Sequence, residues 1–119
     1  MDLLSVIPFM LGLLTLTAIS AGLAPSMSAG RLTRNSAIGI KTRHTLATDD
    51  AWLSGHAAAA PLMKLSGRIG WVFLLLATAF CLFGSPGWAF AITGVGYVVA
   101  LTLLFVATAK ANAAARSSG

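Results

Sequence analysis

Two stretches of this chain, Leu3 to Ala24 and Trp88 to Ala109, contain no charged side chain, and a third, Leu65 to Gly84, contains only Arg68. Roughly 20 apolar residues in a helix cross the hydrocarbon core of a bilayer. Lipid offers backbone groups no hydrogen-bond partners, so such stretches must satisfy themselves as helices or closed barrels. None of the three shows the alternation of a barrel strand, and each is helix length. The expectation is therefore an all-α integral membrane protein with transmembrane helices at about 3–24, 65–84 and 88–109. Composition agrees: 9% of residues are charged, against roughly 25% in a soluble domain. At 119 residues, the chain has room for a single membrane domain, 1–119.

The spans differ in detail. A cleaved leader is the alternative for the first, because the small residues of APSMSA follow it. A leader has a basic n-region, however, and the early charged side chain here is Asp2. Pro8 falls in the first two turns, where a missing amide donor does least harm. Ser85-Pro86-Gly87 is a compact turn, so spans two and three form an antiparallel hairpin. Ala18 with Gly22, and Gly96 with Ala100, are small-residue pairs of the kind that lets helices pack closely. The short basic tail, 110–119, reads as disordered.

Between spans one and two lies the only long polar stretch, within a loop at 25–64. Thr48 is a good N-cap, and Asp49 and Asp50 follow it at the positive end of a helix dipole. Trp52, His56, Ala59 and Met63 then share one helical face. Pro61 should kink or end this segment, giving one short interfacial amphipathic helix lying on the membrane between the first and second spans. Arg31, Arg34, Arg43, Lys64 and Arg68 are candidates for contact with lipid headgroups.

All eight Lys and Arg residues fall in this loop, at its border or in the tail. The positive-inside rule then places the N-terminus outside, with the long loop and the C-terminus cytoplasmic. Basic residues beside apolar spans mark topology, so nucleic acid is not an expected partner. Membrane lipids are.

Little here points to chemistry. His44, His56, Asp49 and Asp50 fall short of the three or four convergent ligands a zinc site uses, and no metal or other cofactor is expected. Cys81, the single cysteine, lies in an apolar run with no base beside it in sequence, so no activated nucleophile is visible. The spans lack the central ionisable residue typical of ion or proton pathways. His56 has two readings: a switch titrating near neutral pH, or an imidazole whose hydrogen bond to the loop backbone docks the helix. The second is preferred. With no catalytic residues, the chain reads as a non-enzyme with a protein partner.

One pattern in the loop exceeds what composition explains: Asn35, then Ile38-Gly39-Ile40-Lys41-Thr42, Thr45, and Trp52 with His56. This resembles the SdpI family of bacterial membrane proteins, whose shared segment runs approximately N-x-x-I-G-I-R-T, a threonine, an acidic stretch and W-x-x-x-H or W-x-x-x-N. The resemblance covers roughly Gly30 to Gly70. It implies a bacterial plasma-membrane protein giving immunity against a membrane-active toxin peptide, or signalling by drawing a cytoplasmic regulator to the membrane. The functional positions it implies are Asn35, Gly39, Lys41, Thr42, Trp52 and His56. Lys41 stands where the family usually has arginine, losing bidentate geometry. The alternative is a small accessory subunit of a larger membrane complex, such as a respiratory or envelope-biosynthesis assembly.

Overall fold

The computed structural model describes residues 1–118 and contains three helices: α1 (Leu3–Ser28), α2 (Asp49–Leu82) and α3 (Pro86–Ser118). Each is long and apolar enough to cross a membrane. The architecture is that of an all-helical multi-pass membrane protein, extended to 52 Å along its long axis.

Local chemistry sets the helix ends. Asp2 caps α1 by accepting the Ser5 amide at 3.0 Å, and Thr48 caps α2 by accepting the Ala51 amide at 3.0 Å. The C-terminus of α2 closes through Gly84, at φ +78°. The Ser85 amide reaches back to the Phe80 carbonyl (2.8 Å) and the Gly84 amide to Cys81 (3.2 Å), which is the Schellman pattern. Gly30 closes α1 the same way.

Two elements differ from the sequence expectation. The separate interfacial helix is absent among the described residues: the helix that starts after Thr48 continues through Pro61 as the first part of α2. Proline costs about 3 kcal/mol inside a helix, but this stretch is held from two sides. Ala59, Ala60 and Met63 are packed in one cluster with Ala24 and Met27 of α1 and Ala107 and Ala111 of α3. Pro61 itself lies on the exposed face. The tail is the second difference, being helical through Ser118. Its alanines are strong helix formers, and Ala107, Ala111 and Ala115 are buried at i, i+4 spacing, which anchors them on α2. Arg116 sits in the last turn, where its charge suits the dipole.

α2 packs along both α1 and α3, which meet each other less extensively. The α1–α2 crossing is close because small residues face each other: an added Cβ at Gly67 would lie 2.9 Å from Ala21 Cβ. Gly96 and Ala100 are buried in the α3 interface, and Ser66 Oγ donates to the Ala100 carbonyl at 3.2 Å. Ala18 and Gly22, by contrast, face outward. At the far end from the loop, Phe9 of α1 stacks on Phe90 and Tyr97 of α3, with ring centroids 4.5 and 4.8 Å away.

Because Gly67 packs against both the Cβ and the backbone of Ala21, Gly67→Val should force α1 from α2. We expect it to lower stability in detergent by about 1–3 kcal/mol, seen as an earlier midpoint in a denaturant titration followed by helical circular dichroism.

Candidate functional site

The polar loop between α1 and α2 is fastened to the first turns of α2 and the last turns of α3. Trp52 sits one turn into α2 and is fully buried. Its indole N–H donates to the Leu32 carbonyl at 2.9 Å, fixing the start of the loop. One turn later, His56 lies against the Trp52 ring with centroids 4.0 Å apart.

His56 uses both ring nitrogens. Nε2 accepts the Ile40 amide at 2.9 Å. The proton therefore resides on Nδ1, which donates to the Trp52 carbonyl at 2.8 Å. The imidazole is thus neutral and its tautomer is set by the loop. Burial pushes its pKa below the ordinary histidine value, while the Trp52 carbonyl works in the opposite direction. With both nitrogens committed, it has no lone pair for a metal ion. Among the described residues no group of three His, Cys, Asp or Glu converges.

Gly39 lies directly over this pair. Its φ is +144°, a conformation that side chains disfavour. A Cβ there would also lie 2.7 Å from Trp52 Cη2 and 3.0 Å from His56 Nε2. Both backbone angle and space therefore require glycine.

A second set of bonds holds the other side of the loop. Thr45 is fully buried; its hydroxyl accepts the Thr42 amide at 2.9 Å and donates to the Ile40 carbonyl at 2.7 Å. The Thr42 hydroxyl in turn donates to Asn112 Oδ1 on α3. Nearby, an added Cβ at Gly55 would lie 2.9 Å from the Ala111 carbonyl, so α2 and α3 touch where the loop is bound.

Gly39, Thr42, Trp52 and His56 thus converge in one clasp. Asn35 and Lys41 do not join it: Asn35 is exposed, and Lys41 Nζ bonds only the Ala37 carbonyl, at 3.2 Å. Arg34 pairs with Asp49 at 3.1 Å, an exposed contact of small energetic weight. Arg31 and Arg43 are exposed on the loop, and Lys64 and Arg68 are exposed farther along α2. Asn112 escaped the sequence reading, although a lone amide in an alanine-rich tail was a signal. Beside the clasp is a groove of about 340 Å³, walled by loop residues 38–42 and by Leu23, Met27, Leu104 and Thr108.

Gly39→Ala should undock the loop at a cost of about 2 kcal/mol, raising hydrogen exchange of the Ile40 amide roughly 30-fold. For His56, the folded pKa lies below the unfolded value, so the unfolded state binds the proton more tightly. Its stabilising contribution is complete above about pH 6.5 and is lost as pH falls toward the folded pKa. Thermal melts in detergent should show this as an acid-side slope present in the wild type and absent in His56→Gln.

The model of the SdpI/YfhL protein family matches residues 31–109, spanning the loop, all of α2 and most of α3. The chain belongs to that family. No curated protein and no solved structure matches it.

Proposed function

We propose that this member of the SdpI/YfhL family is a non-catalytic, multi-pass protein of the bacterial plasma membrane. On this reading it confers immunity against a membrane-active toxin peptide, or signals by holding a cytoplasmic regulator at the membrane. The N-terminus faces out, and the loop and C-terminus face the cytoplasm. The orientation rests on the eight basic residues, which the helix order gathers at the loop end of the bundle.

One observation carries the functional reading. The four residues of the clasp are spent on structure, and they hold the polar loop in a fixed shape. That leaves Asn35 and Lys41 on its outer surface, where a partner can reach them. The apolar groove along residues 38–42 suits an apolar side chain of a bound peptide or regulator. A rigid polar surface beside a small apolar groove is the anatomy of a recognition site.

Expression should protect cells from a membrane-active peptide, read as survival curves. Asn35→Ala should abolish protection while membrane insertion and loop exchange stay as in the wild type. His56→Ala should abolish both protection and loop order. Identical killing with and without expression, across candidate peptides, would remove the immunity reading. Capture from native membranes separates the rest: a cytoplasmic regulator supports signalling, and stoichiometric subunits of a large complex would replace it with an accessory role.

A further inference from the structure

On the face of the bundle formed by α1 and α2 lies a larger groove, of about 660 Å³. One wall is the end of α1, including Ala21, Pro25 and Ser28; the other is α2, including Lys64, Arg68 and Trp71. Apart from Ser28 at its loop end, the α1 wall is small and apolar, offering nothing that would exclude a hydrocarbon chain. Lys64 and Arg68 are one helical turn apart, so both cations project along the same face.

These two cations have no partner in the fold. Among the described residues neither makes a hydrogen bond to a side chain or carbonyl, and the single ion pair joins Arg34 to Asp49. The three acidic residues of the chain are Asp2, Asp49 and Asp50. Asp2 caps the opposite end of the bundle, and the other two open α2 several turns before Lys64. The groove therefore joins an uncompensated double positive charge to an apolar trough. Trp71 is 43% exposed beside it, and an indole of this kind favours headgroup depth.

We propose that this groove is a binding site for one anionic phospholipid. Lys64 and Arg68 hold its phosphate, and an acyl chain runs from Ala21 past Trp71 into the apolar trough lined by Leu11, Leu14 and Leu75. The position fits the physical requirements of such a ligand: the cations stand at the polar border of span two and the trough runs beside apolar helix. The site is separate from the clasp, so its occupancy is independent of the recognition role proposed above.

The test uses the full chain purified in neutral detergent, with phosphatidylglycerol and phosphatidylcholine of identical acyl chains titrated in. Bound lipid is counted by native mass spectrometry. The wild type should retain one phosphatidylglycerol in preference to phosphatidylcholine, and inorganic phosphate should not displace it. Lys64→Gln with Arg68→Gln should weaken retention roughly 25-fold, since each cation contributes about fivefold near an anionic surface. Thr78→Phe, an exposed position in that trough, should block it without altering charge and give a comparable loss. Lys110→Gln with Arg116→Gln, equal in charge but outside the groove, should leave retention unchanged. Equal loss in that control would reduce the effect to general surface charge and overturn the proposal. So would equal retention of the two lipids, undiminished retention in Thr78→Phe, or displacement by free phosphate.

Discussion

The hydrogen bond from the Ile40 amide to His56 Nε2 is the contact on which the polar half of this protein depends. The loop carries few apolar residues and cannot be held by burial alone. It is held by giving its backbone groups specific partners on the helix ends. A buried amide left without an acceptor costs about 1–3 kcal/mol, so the acceptor must be placed accurately. Imidazole is suited to the task because one ring nitrogen can accept from the loop while the other donates into α2. The Trp52 indole does the same work for Leu32, and within the loop the Thr45 hydroxyl serves Thr42 and Ile40. Gly39 then fits over the two rings because it has no side chain to keep it away.

The membrane half follows a different logic. Between helices in lipid, apolar area gives little net attraction, and close fit takes its place. That accounts for the small residues at the contacts: Gly67 on Ala21, and Gly70 on Thr17. The two halves meet along α2, whose buried face changes from Trp52 and His56 to Ala59, Ala60 and Met63 and then to Ser66, Gly67 and Gly70. A single helix thus serves a polar docking role at one end and a tight apolar role at the other.

The three spans were legible because charge is so rare within them, and the start of α2 was legible because Thr48 precedes two aspartates. The preferred docking role for His56 agrees with the bond it makes to the Ile40 amide, whereas its burial was not readable from its spacing to Trp52. The path of α2 through Pro61 was not legible. Proline's local penalty is visible in sequence, whereas the packing of Ala59, Ala60 and Met63 against both neighbours is not. The helical tail was missed for a related reason. Its alanines favour helix, but so short a segment is marginal alone until Gly55 and the loop supply a surface for Ala111 and Asn112. Local patterns reveal what a segment prefers, and these two segments are decided by what they touch.

The continuity of α2 through Pro61 has a geometric consequence. Because the loop is bonded to side chains on the same helix that enters the bilayer, no hinge separates it from the membrane. The stretch of α2 from His56 to Lys64 is about two turns, and each residue adds about 1.5 Å of rise and 100° of rotation. The height of the loop above the headgroups and the compass direction it faces are therefore written as a residue count. Asn35 and Lys41, exposed on that loop, are presented at a set altitude and bearing, as on a mast rather than a tether.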